Sequence, residues 1–500
     1  MKKKNKKNTI KIILYIISST IFLIFLLWIL IKANSRKIII DPTDGPTIIE
    51  TGGIRIHNSD YKNKLQAFID GQSVDIRDKR IENILPGTHT LELSMEGFTT
   101  WHSDIQIEAN KVTNITPYLF PTDISIQPKT DLTGIDKIFF SPNTDFAYFV
   151  ISQSKVGANN GIYQLALREV STLFSNNTQS EPKKILNIIP EIKEAIETGS
   201  YELIPSTDNK KFIFASDSTP YYIFDTTTTN LDIKSDQLLS IEKAIGFRPE
   251  NLFWFKGSSS IIIENQNVLF ELILSNMKMV IITYTPDTKP IYSVNGNLVI
   301  FIGPENDLYN YIDETKTEIK LENIKLPDAI SSIKVDPEIG KNLYIESQQQ
   351  YYFLNTERSF LELIDENITA LVYFNNGTTF LYKKDNNVYS YTAKDDPINK
   401  DFKTQKSLIW SNLDETNIEF FANSRSSHIL AFEQIDENKI IHIMDKNGDN
   451  KIKLLENNRI VENSFYMISD NKDLLVLIND SDATDDQEAQ NNLYVLKLDK

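Results

Sequence analysis

The sequence predicts a mainly β protein carried on one N-terminal helix, and three observations predict it. Residues 12–31 hold twenty consecutive uncharged positions. From about Gly52 apolar and polar residues alternate in short runs separated by Gly, Pro, Asn and Asp, the pattern of half-buried strands. Beyond residue 122 a turn followed by an apolar strand recurs eight times.

The apolar run comes first. IILYIISSTIFLIFLLWILI is long enough, as a helix rising 1.5 Å per residue, to cross a hydrocarbon core of ~30 Å. A cleavable signal peptide has an apolar region of only ~7–15 residues and ends at a small-residue site. This run ends Trp28-Ile29-Leu30-Ile31-Lys32, so an uncleaved transmembrane helix is expected. Lys2, Lys3, Lys4, Lys6, Lys7 and Lys11 precede it, whereas Lys32, Arg36 and Lys37 follow. The richer cluster stays inside. Residues 1–11 are therefore expected to be a basic cytoplasmic stub and the bulk of the chain extracytoplasmic. Residues 32–49, with Asp41-Pro42, Asp44-Gly45 and Pro46, read as a linker.

Composition narrows the chemistry. The net charge is −16, from 52 basic and 68 acidic residues. Such a surface repels phosphate backbones, so no nucleic-acid partner is expected. Cysteine is absent, which removes disulfides and thiolate chemistry. The frequent Ile, Lys and Asn hint at an AT-rich, bacterial genome.

Residues 50–121 read as a small antiparallel β domain, sandwich-like and packed on one side. Ile54 and Ile56 alternate with Arg55 and His57; Leu91, Leu93 and Met95 alternate with Thr90, Glu92 and Ser94; Ile105 and Ile107 alternate with Gln106 and Glu108. Turns fall at Asp70-Gly71, Pro86-Gly87 and Gly97-Phe98. These residues, with Ile69, Leu85, His89 and Trp101, resemble the PEGA domain pattern. The Pro-Glu-Gly-Ala tetrapeptide that names that family is absent, and HNSDYKNKLQA stands there. The resemblance implies a binding or spacer module without chemistry of its own. His89 shares the parity of Leu91 and Leu93, so a hydrogen-bonded histidine at the core edge is expected rather than a metal ligand. Trp101 is expected to plug the core.

Residues 122–500 carry the repeat. Its turn-and-strand units are SPNTDFAYFV, PSTDNKKFIFAS, FKGSSSIIIEN, VNGNLVIFIG, DPEIGKNLYIES, FNNGTTFLYKK, NSRSSHILAFE and ISDNKDLLVLI. Each precedes a second strand with an aromatic or aliphatic pattern, such as GIYQLAL, DLYNYID or NVYSYTA. A period of about 40–50 residues with several strands per unit is the signature of a β-propeller. Eight units predict eight blades, or seven if the 151–200 stretch is irregular. Ser141-Pro142-Asn143 and Ile443-Met444-Asp445-Lys446-Asn447-Gly448 resemble the TolB-like, WD40-like repeat. PEIKEAIETG (Pro190 to Gly199) reads as a short helix, with Pro at its start and Gly after its end. The ring is expected to close by pairing Asp123–Gln127 onto the last blade, removing an exposed edge.

Candidate chemistry is sparse. DKNGDNKIKLLE (Asp445 to Glu456) approaches the EF-hand spacing, with Asp445, Asn447, Asp449 and Glu456 as oxygen ligands for Ca²⁺. Strands rather than helices flank it, so a polar hairpin turn competes with a calcium loop formed by Asp445, Asn447 and Asp449. No other cofactor is expected. Asp480–Gln490 reads as a solvated acidic loop. There is no G-x-S-x-G, no H-E-x-x-H, and only His428 and His442 serve the repeat region. Two functions remain. The leading one is a membrane-anchored binding or scaffold protein of the bacterial cell envelope, whose propeller recognises an envelope protein or glycan. The alternative is a hydrolase or lyase acting on surface polysaccharide or peptide, which requires carboxylates with Tyr or His converging at the channel. Fold alone does not choose between them.

Overall fold

The computed structural model describes residues 14–26, 36–41, 45–57, 65–142, 145–152, 159–167, 181–228, 231–233, 237–336, 340–373, 378–396, 401–411, 417–422, 428–468, 473–479 and 491–498. The chain divides into two compact units, Met1–Asp123 and Ile124–Lys500.

In the first unit, residues 14–26 are helical. Thirteen residues rise about 20 Å, and among the described residues no helix is long and apolar enough to cross a membrane. The rest of the 12–31 run lies outside the described residues. The segment expected to be a linker contains an antiparallel hairpin, Arg36–Asp41 with Gly45–Glu50, in the register Ile38↔Ile48. The turn formers noted at 41–46 connect two aliphatic strands.

The small domain is a two-sheet sandwich. One sheet orders Gln72–Val74, Gln66–Ile69, Gly87–Ser94 and Trp101–Ile107, all antiparallel. The other orders Arg80–Ile84, Gly52–Ile56 and Val112–Ile115. Here the expectation of a purely antiparallel domain is corrected: Gly52–Ile56 pairs with Val112–Ile115 in parallel. Alternation of side chains reports which face is buried and carries no information on strand direction. The inward residues Ile54, Ile56, Ile81, Leu91, Leu93, Ile105, Ile107 and Trp101 form one core. Asp70 and Gly71 both take positive φ, 51° and 76°, as a two-residue hairpin of matching twist requires. His89 sits beside that turn. Its Nδ1 lies 2.6 Å from the Asp70 carboxylate, and its Nε2 lies 2.8 Å from the Leu85 carbonyl oxygen. The carbonyl can only accept, so Nε2 donates. The hydrogen bond to Asp70 raises the imidazole pKa above its ordinary value and lowers that of the carboxyl.

The second unit contains eight four-stranded antiparallel sheets among the described residues. Seven are built from consecutive strands: Ile135–Leu186, Glu202–Ser240, Asn251–Tyr284, Tyr292–Glu318, Ile330–Glu366, Thr369–Trp410 and Asn417–Glu456. The eighth takes its first three strands from Ile460–Lys497 and its outer strand, Ser125–Thr133, from the start of the unit. The closing strand anticipated near Asp123–Gln127 is thus present, slightly displaced and longer. Numbered in this order, the sheets are the blades of a propeller. Buried clusters join blades 1 and 2, 2 and 3, 3 and 4, 4 and 5, 5 and 6, and 6 and 7. Phe465 of blade 8 packs on Phe421 and Phe432 of blade 7, and a further cluster joins blade 8 to blade 1. The ring therefore closes on itself.

The repeat units visible in the sequence are the second strands of the blades. Phe146–Ile151, Lys211–Ala215, Ser260–Asn265 and Leu298–Ile302 run through the middle of their sheets with both faces covered, so they read as unbroken apolar runs. The turns before them follow one design. The Ser141 N–H donates to the Phe146 carbonyl while its Oγ accepts from the Phe146 N–H. Ser206 does the same with Lys211. Both serines are buried. Pro190–Glu197 is a helix, as expected, and its Ile192, Ala195 and Ile196 are buried between blades 1 and 2.

Polar staples reinforce the blade contacts. Tyr292 donates to Glu264 at 2.7 Å and Tyr311 to Glu271 at 2.6 Å, both between blades 3 and 4. Between blades 5 and 6, Tyr391 donates to Glu362 at 2.8 Å and Tyr382 to Asp365 at 3.2 Å. Burial raises all four phenol pKa values, and the carboxylates raise them further. A buried carboxylate without such donors would carry its full desolvation cost.

Candidate functional site

The inner strands of the blades end at a cavity of about 600 Å³, within the range of small-molecule and peptide sites. Pro142, Pro205, Val294, Lys334, Leu371 and Tyr373 are among its walls, and they come from blades 1, 2, 4, 5 and 6. Leu252, Phe253 and Trp254 of blade 3 complete the described lining on one side. These residues stand at or just before the turns that lead into the second strands. The turns that reveal the repeat in the sequence therefore also build one end of the propeller axis.

The lining is apolar and aromatic. Phe253 and Leu371 are 40% and 38% exposed, an unusual placement for large apolar side chains inside a recess. Trp254 is buried, and its indole N–H donates to the Ile204 carbonyl at 2.7 Å. Tyr344 and Tyr373 pack ring to ring at 5.3 Å, and burial pushes both phenol pKa values up. Among the described residues the lining carries two charged side chains, Lys334 and Asp336. The Lys334 ammonium lies 6.0 Å from the Tyr373 ring centroid. Asp336 is 1% exposed; its N–H donates to the Asn342 carbonyl, and its carboxylate accepts from the Asn342 amide at 3.4 Å. Neither histidine of the propeller lines this cavity. Among the described residues the lining combines one carboxylate held in a turn, one lysine and the hydroxyls of Tyr344 and Tyr373. The arrangement can hold a ligand by apolar contact, ring stacking and one positive charge.

The calcium candidates lie elsewhere, in a turn of blade 7. The Asp445 carboxylate contacts His428 Nε2 at 3.1 Å and accepts from the Asn450 amide at 2.7 Å. The Asn447 amide donates to Asp449 Oδ2 at 2.6 Å, and the Asp449 N–H donates back to Asn447 Oδ1 at 3.2 Å. Glu456 pairs with Lys453 instead of returning to the turn. The structure brings Asp445, Asn447 and Asp449 into one turn but commits their oxygens to hydrogen bonds. Asn450 adopts the positive φ, 53°, at the position where an EF-hand carries Gly. Among the described residues no group of three or more His, Asp or Glu converges as a metal site would need. His442 is buried against Glu433 at 2.7 Å, and burial lowers its pKa. Asp480–Gln490 lies outside the described residues.

Sequence reasoning missed the cavity residues. Phe253, Lys334, Leu371 and Tyr373 come from different inner strands and meet only when the ring closes. The one available signal was their position immediately upstream of the repeat turns.

Residues 66–123 match the PEGA domain family. No curated protein matches the chain. Among solved structures, the WD40 domain of SCAP from fission yeast is 10% identical, with 75% of this chain and 98% of that chain covered at a TM-score of 0.40. A eukaryotic initiation factor is 14% identical over 74% of this chain and 88% of its own, at 0.43. An oligogalacturonate lyase in complex with manganese is 13% identical over 61% and 87%, at 0.34. Likenesses this distant carry no argument about activity. The propeller assignment rests on the closed ring of eight sheets.

Proposed function

We propose that this chain is a non-catalytic binding or scaffold protein that uses the axial cavity of its propeller as the recognition surface. The observation that carries this reading is the lining itself: exposed Phe253 and Leu371 beside one lysine, with the single described carboxylate tied into a turn. The partner is an envelope protein or glycan. Residues 12–31 serve as a membrane anchor, an assignment supported by their twenty uncharged positions and by the lysines before them. Along the chain, the PEGA match at residues 66–123 falls after the anchor and before the propeller.

Thermal unfolding of the full chain against panels of envelope glycans and peptides tests the binding role. A ligand that binds only the folded state raises the midpoint by mass action. The expected result is a rise that Leu371→Asp abolishes without lowering the midpoint of the free protein. A ligand whose effect survives Leu371→Asp and Phe253→Asp binds elsewhere and overturns the assignment. Turnover of any panel member would replace binding by catalysis. For the anchor, the chain should remain with the membrane fraction after high-salt and carbonate washing, and removing residues 12–31 should release it.

A further inference from the structure

The axial cavity holds a charge that the protein does not use. Lys334 is exposed on the inner strand of blade 5, Ile330–Val335, and lines the recess. Its ammonium makes no hydrogen bond or ion pair among the described residues; it lies 6.0 Å from the centre of the Tyr373 ring. An unpaired lysine on an outer surface is ordinary, but this one stands among apolar walls. Half-buried lysines elsewhere in the propeller find oxygen. Lys184 donates to the Asn160 carbonyl and Lys211 to the Ser258 carbonyl, while Lys256, Lys384 and Lys497 meet Glu271, Asp365 and Asp473. Acids are not scarce, since the chain carries 68. Asp336, two residues along, is 1% exposed and accepts from the Asn342 amide within its turn.

Leu371 of the neighbouring blade 6 and Phe253 of blade 3 are open to the same space. Water against those side chains is released favourably by an apolar group. Water around the ammonium is given up to an anion, which forms the stronger, charge-assisted hydrogen bond. The complementary ligand therefore joins one anionic group to an apolar body. A sugar polymer meets this lining poorly. Each buried hydroxyl must recover a hydrogen bond, and the Asn295 amide already donates to the Asp336 carbonyl at 2.8 Å. A polyanion is further opposed by the net charge of −16. The wall also includes Gly296, where a Cβ would meet no heavy atom within 4 Å, so bare main chain borders the cavity there.

Resting on the cavity as the binding site, we infer that its ligand is the C-terminal end of a partner peptide. The terminal carboxylate meets Lys334, and the apolar side chains of the last residues cover Leu371 and Phe253. A C-terminus is the place on a peptide where an anion and an apolar side chain belong to one residue. The amides behind it pass the bare main chain at Gly296. Held inside a recess, the carboxylate–ammonium pair is screened by salt less than a pair on the open surface.

The test is isothermal titration of the full chain, in detergent micelles, with matched probes. These are acetyl-Ala-Ala-Leu and acetyl-Ala-Ala-Phe with a free terminal carboxylate, and the same two peptides ending in a carboxamide. The acids should bind at least about ten-fold tighter than the amides, the size of one hydrogen bond to a charged group. Lys334→Gln, at an exposed position that leaves the fold intact, should remove that difference, and Leu371→Asp should abolish binding of both kinds. If acids and amides bind alike, or Lys334→Gln changes nothing while Leu371→Asp still abolishes binding, the carboxylate assignment is wrong and the cavity remains the site. Binding that survives Leu371→Asp overturns the cavity as well. Octanoate binding more tightly than either peptide acid would replace the peptide by a free apolar acid, and titrations in which neither peptide acid binds would overturn the inference.

Discussion

Replacing Tyr311 by Phe tests whether the propeller is held by polar staples as well as by apolar packing. Glu271 is fully buried in blade 3. One of its carboxylate oxygens accepts from Ser260 at 2.8 Å and meets the Lys256 ammonium at 3.2 Å. The other accepts from the Tyr311 hydroxyl of blade 4 at 2.6 Å. Tyr311→Phe keeps the ring, including its contact with Phe255 at 6.2 Å between centroids, and removes only that donor. A hydrogen bond to a charged group contributes about 1.5–3 kcal/mol. A unit of about 380 residues unfolds with an entropy near 0.8 kcal/mol per kelvin, so the midpoint should fall by about 2–4 °C. The assay is thermal unfolding followed by circular dichroism. Tyr309→Phe, on the same strand as Tyr311, is the control: that ring stacks on Phe301 of the neighbouring strand, and its change should stay within about 0.5 kcal/mol. If the two variants unfold at the same temperature, the staple contributes nothing and the blade contacts are purely apolar.

Three other outcomes are expected. The His89 imidazole should titrate above 6.5, the ordinary value, with Asp70→Asn bringing it down in a proton NMR titration. Because the His89 pKa is raised, its contribution to stability is present at low pH and lost as pH rises through the folded value. The lowered Asp70 pKa adds stability that is lost as pH falls through its own folded value, so the small domain is most stable between the two; an imidazole at or below 6.5 would refute the pairing. In blade 7, Gly448 takes φ 89°, and a Cβ there would lie 2.9 Å from the Leu408 carbonyl. Gly448→Ala should therefore destabilise the propeller by about 1–3 kcal/mol in denaturant titration, and an unchanged midpoint would mean the turn is built differently. Millimolar Ca²⁺ should leave the unfolding temperature of the propeller in place, since the Asp445 and Asp449 oxygens already accept hydrogen bonds. A rise abolished by Asp449→Asn would make this turn a metal site.

Much of the ring was legible because its second strands are covered on both faces. Residues such as Phe149, Val150 and Ile151, or Ile261, Ile262 and Ile263, have no solvent-facing side to interrupt the apolar run. The outer strands are the reverse: all four residues of Thr315–Glu318 are exposed, and nothing in their composition separates them from a loop. In the hairpin at 36–50 the turn residues Asp41-Pro42, Asp44-Gly45 and Pro46 dominate the local pattern, although Ile38, Ile39, Ile40, Ile48 and Ile49 flank them. The parallel pair Gly52–Ile56 with Val112–Ile115 could not be read, because the two segments lie far apart and periodicity has no sign. Tyr292, Tyr311, Tyr382 and Tyr391 belong to the first, third, second and third strands of their blades. Their hydroxyls find carboxylates 17 to 40 residues away, a pairing that only the stacking of blades creates. The axial cavity was invisible for the same reason.

The way the ring closes gives the molecule a mechanical weak point with a defined direction. Ser125 pairs with Lys497, and the pairing runs back to Thr133 opposite Asn492. The link from the small domain thus enters the propeller at the same end of the seam where the last strand finishes. Tension applied between residue 124 and the C-terminal end loads one rung at a time, as when a zip is drawn, instead of shearing all rungs together. The seam should part at low force and leave the other seven sheets standing. Refolding then needs only the re-laying of one strand, so a propeller pulled through this link behaves as a resettable fuse.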